Sequence, residues 1–284
     1  MLTPLTERLI DAALEEDLGR GDPTAELIFE PEARLRGRLV AQEPLVVCGG
    51  DVFTRVMKRV DADIQVRLDS RDGDEVAAGA VLGEVEGRAQ GILGAERTAL
   101  NFLQRLSGVA TLTRAYVRAA SVGRAVIADT RKTTPGWRTL EKRAVRVGGA
   151  RNHRADLAAG ILIKDNHIAA AGSLGDAVRR VRLGAPHTLR IEVEVQTLPE
   201  LDEAIAARAD AVLLDNMDDE QVGLAVKQAA GRVLLEVSGG VSLERVPALS
   251  RLGVDVISVG RLTHSARAVD ISLEAERLGR SRGE

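Results

Sequence analysis

Residues 128–154 read ADTRKTTPGWRTLEKRAVRVGGARNHR. Between Asp129 and Arg154 stand eight Lys or Arg (Arg131, Lys132, Arg138, Lys142, Arg143, Arg146, Arg151, Arg154) against two acids, Asp129 and Glu141. That is a local charge of +6 in a chain of formal net charge −3. A solvated helix face interleaves both signs. A one-signed cluster beside Thr133, Thr134, Pro135 and Gly136 suits a strongly anionic ligand. The overall acidity argues against nucleic acid, which needs a broad basic footprint. The expected ligand is a small polyanion bearing phosphates or several carboxylates.

Further along, Lys164 in LIKDNH has two chemical readings, a Schiff-base nucleophile or a charge clamp for a carboxylate, beside the plainer one of a structural ion pair. Glu194 and Asp215 would repel a polyanion unless a divalent cation or sugar hydroxyls intervene. Mg²⁺ shared between carboxylates and substrate phosphates is the usual solution; salt bridges to barrel Lys or Arg are the alternative. Ser238, Gly239 and Gly240, with Gly260, have the composition of turns that cradle phosphate with backbone N–H groups, or of tight turns that need positive φ. The four histidines, His153, His167, His187 and His264, show no H-x-H or H-E-x-x-H spacing, so a His-ligated metal is not expected. His153 and His264 remain hydrogen-bond donors to a ligand, and His187 falls in a surface turn.

The elements that must position these groups change character along the chain. Residues 5–18 have helical spacing, with Leu5, Leu9, Ile10, Ala13, Leu14 and Leu18 on one face. Residues 35–85 are short β-rich pieces punctuated by Gly and Asp-Gly around the helical GGDVFTRVMKRV, an α+β pattern with antiparallel strands. From about Ser107 the rhythm changes. The apolar runs AVIADT, GILIKDNH, RIEVEV, DAVLLDN, RVLLEVSGG and DVISVG alternate with helix-like runs, which predicts a parallel α/β architecture covered on both faces or closed. Polar groups gather at six successive strand ends: Asp129 to Lys132, Lys164 to His167, Glu192 and Glu194, Asp215 and Asn216, Glu236 to Gly240, Ser258 and Gly260. An open doubly wound sheet concentrates ligands at one switch point. Functional groups on six consecutive tips favour an α/β barrel with its site on that rim.

Composition sets the remaining bounds. The chain has 284 residues, 45% hydrophobic and 29% charged, with a single cysteine. It suits one large or two modest domains. No apolar run approaches a membrane span, and the acidic, amphipathic start is no signal peptide. Cys48, in LVVCGG, excludes an internal disulfide and fits a structural thiol in a reducing cytoplasm. Aromatics are 2% of the chain, leaving few platforms for stacking bases.

The runs DTRKTTPG (129–136), LEK (140–142), GG (148–149), NHR (152–154), LIKDNHI (162–168), EVEV (192–195), LLDNM (213–217), SGG (238–240) and SVGRLTHS (258–265) closely resemble quinolinate phosphoribosyltransferase, also called nicotinate-nucleotide pyrophosphorylase (carboxylating). EDLGRGDPT (16–24) and ERTALNFLQRLSG (96–108) resemble it too, so the likeness spans nearly the whole chain in order. It implies an N-terminal α/β sandwich domain, residues 1–107 with a returning segment 266–284, plus an incomplete parallel α/β barrel, residues 108–265. It implies a homodimer or larger assembly with active sites shared between subunits. Its reaction moves phosphoribosyl from phosphoribosyl pyrophosphate (PRPP) to quinolinate with decarboxylation, in de novo NAD biosynthesis, with Mg²⁺. By motif position, Arg97, Arg131, Lys132, His153, Arg154 and Lys164 resemble the quinolinate-binding set, Arg97 as the cross-subunit arginine and Lys132 as reaching both substrates. Glu194 and Asp215 resemble the ribose and Mg²⁺ carboxylates. Ser238, Gly239, Gly240, Gly260 and His264 resemble the phosphate set. Lys132, Lys164, Glu194 and Asp215 are the implied catalytic group. Trp137 stands where Leu is usual, Ala150 where a third Gly is common, and Arg261 where the residue is usually small. The molybdenum-operon relatives of the family tend to lack the lysine that Lys164 supplies. A Schiff-base aldolase and a non-catalytic anion-binding protein are the readings from other classes.

Overall fold

The computed structural model describes residues 2–277. Its contacts separate two units: Met1–Leu112, Thr134–Gly148 and Ala266–Glu284 in the first, Thr113–Thr133 and Gly149–Ser265 in the second.

The first unit opens with α1 (Pro4–Leu18), capped by the Thr3 side chain with Pro4 in its first turn, where a proline's missing N–H loses nothing. There follow α2 (Pro23–Ile28), β1 (Arg34–Ala41), β2 (Leu45–Val46), α3 (Gly50–Val60), β3 (Gln65–Leu68), β4 (Glu75–Val76), β5 (Val81–Arg88) and the start of α4 (Ala89–Ala120). α5 (Arg138–Val147) and β12 (Ile271–Arg277) complete it. The main sheet has the order β12-β1-β5-β3 and is antiparallel throughout. β1 alternates, burying Leu35 and Leu39 while Arg34, Arg36 and Arg38 face out. Those arginines meet Glu86, Glu274 and Glu276 in exposed ion pairs, each worth about 0–1 kcal/mol. β12 pairs with β1 from Leu35↔Arg277 to Ala41↔Ile271. Leu278 and the residues after it lie outside the described residues.

Two features differ from the sequence reading. First, no break occurs at Ser107. α4 is one helix of 32 residues, and the division between units falls inside it. Ser107 is buried and exchanges hydrogen bonds with the Cys48 backbone, accepting from its N–H at 3.0 Å and donating to its carbonyl at 3.2 Å. Its hydroxyl is a packing contact. Cys48 is buried, and burial, then the Asp72 carboxylate, push its thiol far above the ordinary range, which keeps it an inert thiol.

Second, the cationic run is divided. Residues 134–148 group with the first unit. There Arg143 donates to Asp51 at 2.8 Å and to Asp72 at 2.6 Å, and Lys142 is buried. Glu141, fully buried, accepts from Arg105 at 2.8 Å and from the Thr134 N–H and hydroxyl at 3.0 and 2.9 Å. The reason is periodicity: α5 turns Leu140, Glu141, Ala144 and Val145 inward together. Phe102 and Trp137 stack at 4.6 Å in the same unit.

The second unit carries β6 (Val126–Ala128), β7 (Ile161–Ile163), α6 (Asp165–Ala171), α7 (Leu174–Gly184), β8 (Ile191–Val195), α8 (Leu198–Ala206), β9 (Ala211–Asp215), α9 (Asp219–Ala229), β10 (Leu234–Ser238), α10 (Val246–Leu252), β11 (Val256–Ser258) and α11 (Arg261–His264). Helices α7, α8 and α9 start on the side-chain caps Ser173, Thr197 and Asp218, with capping boxes at Thr197/Glu200 and Asp218/Gln221. All six expected strands form, parallel, in the order β6-β11-β10-β9-β8-β7. β6 and β7 are neighbours in sequence yet stand at opposite ends of that order. Among the described residues, β6 is met on that side by an isolated parallel bridge from Ala128 to Arg151, in the segment that precedes β7: Arg151 N–H donates to the Ile127 carbonyl at 2.9 Å and Asp129 N–H to the Arg151 carbonyl at 3.2 Å. All six strands line one cavity of about 450 Å³. The sheet is therefore an incomplete parallel α/β barrel. Among the described residues no helix is long and apolar enough to cross a membrane.

Removing one partner of a buried ion pair strands the other. Glu141→Ala should cost about 3–5 kcal/mol and lower the thermal midpoint clearly. An unchanged midpoint in differential scanning calorimetry would show that Arg105 and Thr134 do not depend on Glu141.

Candidate active site

Strand alternation decides what faces the barrel interior. On β8, Glu192 and Glu194 share the inward face; β10 puts Glu236 and Ser238 inward, and β9 puts Asp215 opposite Ser238. The carboxyl ends of the strands form the rim, and most of the sequence-derived site residues lie there or just inside.

The cations belong to the two edge strands. Arg131 and Lys132 follow β6, Lys164 follows β7, and Arg154 lies in the segment leading into β7. Arg131 is half-buried, and its Nε has no hydrogen-bond partner among protein atoms. Arg154 donates to the Gly160 carbonyl at 3.2 Å. Burial, and next the Arg131 guanidinium, weaken its hold on its proton, as expected for two like charges aimed at one place. Lys132 is anchored by its backbone, its carbonyl accepting from Thr263 Oγ1 at 2.7 Å, while its side chain is exposed.

The carboxylates and glycines belong to the central strands. Lys164 Nζ donates to Glu194 Oε2 at 2.7 Å, so the structural ion pair is present. Its side chain is 45% exposed, unlike the desolvated amine of a Schiff-base lysine. Asp215 ends β9 next to Asn216, whose amide donates to Asp215 Oδ2 at 2.8 Å. Asn216 sits at φ 56°, a left-handed conformation that asparagine tolerates better than most residues. Its backbone N–H donates to the Ser238 carbonyl at 3.1 Å, tying two tips together. Gly239 takes φ 91°, and a Cβ there would lie 2.3 Å from Asn216 Oδ1. A side chain is excluded twice over, by conformation and by space, and the loop backbone is left bare toward the rim. Gly260 brings its backbone close to Lys132 and His264; His264 Nδ1 lies 2.7 Å from Ser265 Oγ.

His153 is held further inside. Its backbone N–H donates to the buried Asp129 at 2.8 Å, and its Nδ1 accepts from the Arg154 N–H at 2.7 Å. The proton is thus on Nε2, which lies 3.0 Å from Glu192 Oε2 and 3.7 Å from Glu236 Oε1. Glu236 is 4% exposed, against Glu192 and Ser258. Burial, then the Glu192 carboxylate, push its carboxyl up to about 7. Sequence reading counted Glu192 and Glu236 among strand-end polar groups and gave them no role. The available signal was a lone acid two residues before a rim group in an apolar strand, which period two sends to the same face. Asp129 was missed as the His153 anchor because it lies 24 residues away. Arg97 is exposed on α4 in the first unit.

A parallel barrel whose rim carries cations, carboxylates and glycine turns is the build of an enzyme for small anionic substrates. Residues 22–107 match the N-terminal domain model of quinolinate phosphoribosyl transferase and residues 109–274 its C-terminal domain model. The chain belongs to the quinolinate phosphoribosyl transferase family. It is 43% identical over 268 residues to the probable nicotinate-nucleotide pyrophosphorylase (carboxylating) of Bacillus subtilis (strain 168), covering 94% of this chain and 92% of that protein. It is 45% identical over 271 residues to the nicotinate-nucleotide pyrophosphorylase (carboxylating) of Mycobacterium leprae (strain TN), covering 93% and 95%. The crystal structure of NadC from Streptococcus pyogenes superposes with a TM-score of 0.93 at 41% identity, covering 98% of this chain and 99% of that one.

Glu236 carries a stability signature with a definite sign. Its folded-state carboxyl, near 7, is raised above the ordinary 4.5. The folded state therefore binds the extra proton between those values, and stability falls as pH rises through that window. Glu236→Gln removes the penalty. The variant's gain in thermal midpoint over the wild type should be larger at pH 8 than at pH 5. An equal difference at both would mean that Glu236 is ionised throughout.

Proposed function

We propose that this protein transfers the phosphoribosyl group of PRPP to quinolinate and decarboxylates the product, releasing nicotinate mononucleotide, pyrophosphate and CO₂. One observation carries the reading: charge is sorted by strand position. Cations stand on the edge strands β6 and β7 (Arg131, Lys132, Arg154, Lys164), and carboxylates and glycine turns on the central strands β8 to β11 (Glu194, Asp215, Ser238, Gly239, Gly240, Gly260). A pyridine dicarboxylate fits the first group and a phosphoribosyl pyrophosphate the second. The names of the Bacillus and Mycobacterium relatives support the same chemistry, written from the product side.

The pyridine nitrogen attacks ribose C1 as the bond to pyrophosphate breaks, through a transition state with oxocarbenium character. The pyridinium then loses its adjacent carboxylate as CO₂, and the electron pair left on the ring carbon takes a proton. The protein's part is to hold two anions together and offset their repulsion. Arg131, Arg154, His153 and Lys164 hold the two carboxylates of quinolinate, and Lys132 reaches both substrates. Ser238, Gly239, Gly240, Gly260 and His264 receive phosphate. Glu194 and Asp215 are hard oxygen donors on adjacent strands, each with one oxygen engaged by Lys164 or Asn216. That set fits an Mg²⁺ completed by substrate oxygens and waters. The ion neutralises pyrophosphate charge when bound. Lys164 leaves Glu194 for a quinolinate carboxylate, which frees Glu194 for the ribose. Arg97 serves the site of a second subunit in a homodimer working in the cytoplasm.

Substrate selection tests the reading. Arg131, Arg154 and Lys164 together exceed what one carboxylate satisfies, and cations left unpaired in a substrate-filled site are unfavourable, so kcat/KM for quinolinate should exceed that for nicotinate by about 100-fold or more. Comparable values would defeat the assignment. The two charge groups should also separate by calorimetry. Lys164→Ala should weaken quinolinate binding about 10- to 100-fold. Asp215→Ala should leave it intact and impair PRPP use and the Mg²⁺ response. The opposite pattern in folded variants would reverse the roles.

A further inference from the structure

Inside the barrel, His153, Glu192 and Glu236 bring three potential ligand atoms within 4.8 Å of one another. The spacing suits a divalent cation, but the hydrogen bonding does not. A metal on Nε2 requires the proton on Nδ1, and Nδ1 accepts the Arg154 N–H. A proton on Nε2 and another shared by the two carboxyls satisfy the same groups. Glu236 and Ser258 are both buried, Ser258 and Glu192 bear directly on the Glu236 carboxyl, and His153, Glu192 and Glu236 all line the barrel cavity.

We propose that Glu236 is a proton-carrying positioning residue: quinolinate binding at the cationic rim is accompanied by proton uptake at its carboxyl, which keeps the barrel floor neutral beneath a dianion. This rests on quinolinate being the substrate. Glu236 precedes Ser238 by two residues on the same face, about 6–7 Å below the rim, within coulombic reach of a ligand there. The groups facing it are Glu192 from β8, Ser258 from β11 and His153 from the segment before β7. Asp129 stands behind His153, and β9 offers the apolar Leu213 opposite it. Arg131 and Arg154, with Glu194 and Asp215 above, complete the charged surroundings. A bound dianion adds negative charge near Glu236, which favours its protonated form and draws a proton in. Through the Nε2 contact, the neutral carboxyl leaves His153 with one carboxylate partner, Glu192, and a fixed tautomer. The carboxyl value near 7 puts the exchange in an accessible range.

Calorimetric titration of quinolinate into the wild-type protein, in phosphate and in Tris at pH 6, 7 and 8, counts the protons exchanged. Quinolinate's own carboxyls are ionised throughout. Uptake should be small at pH 6, about half a proton at pH 7 and near one at pH 8. The Kd should rise by up to about tenfold between pH 7 and 8. In Glu236→Gln both the uptake and the pH dependence of Kd should vanish. Should that variant not fold, Glu192→Gln serves: with the neighbouring charge gone, the onset of uptake moves to lower pH. Binding without proton uptake in the wild type, or uptake unchanged in Glu236→Gln, overturns the proposal and leaves the substrate assignment standing. No quinolinate binding by the wild type defeats the substrate assignment and this proposal with it.

Discussion

A single parallel bridge between Ala128 and Arg151 stands where a closed barrel would pair β6 with β7 along their length. The chemistry of the second unit depends on that stop. A full pairing would commit the residues after Arg151 to a strand; instead the chain is released at once, and His153 and Arg154 follow. His153 is turned inward by its bond to Asp129, the residue after the bridge on the other side. The two edges thus supply the cations, while the fully paired central strands supply the carboxylates and glycine turns. An uninterrupted barrel would fill its interior with apolar layers and would have no such asymmetry.

The asymmetry has an electrostatic consequence. Opposite charges on neighbouring tips satisfy each other, as Lys164 and Glu194 do, and partial exposure keeps the pair weak. Deeper in, burial and the Glu192 carboxylate push the Glu236 carboxyl up to about 7, and the Arg154 N–H fixes the His153 tautomer.

Much of this was legible in the sequence. Six apolar runs, each ending in polar residues, located every strand of the barrel and its functional rim, because strand and helix periods are distinct over such lengths. The glycines at 239 and 240 both take positive φ, as the tight-turn alternative for them requires. What escaped was set by tertiary contact. Helix α4 runs through Ser107 because that hydroxyl pairs with Cys48, 59 residues earlier. The +6 run looked like one anion site, yet Arg143 answers Asp51 and Asp72 from far upstream. Short helices α2, α6 and α11 offered too few turns to declare a period. The roles of Glu192 and Glu236 needed the register of three strands at once.

Phosphoribosyl transfer to quinolinate requires that two anions meet and that one carboxylate leave. The most direct measurement is product stoichiometry in one reaction containing quinolinate, PRPP and Mg²⁺. One pyrophosphate and one CO₂ should appear for each quinolinate consumed, with both products absent when either substrate is withheld. Pyrophosphate release without CO₂, or quinolinate bound and recovered unchanged in the presence of PRPP, would contradict it.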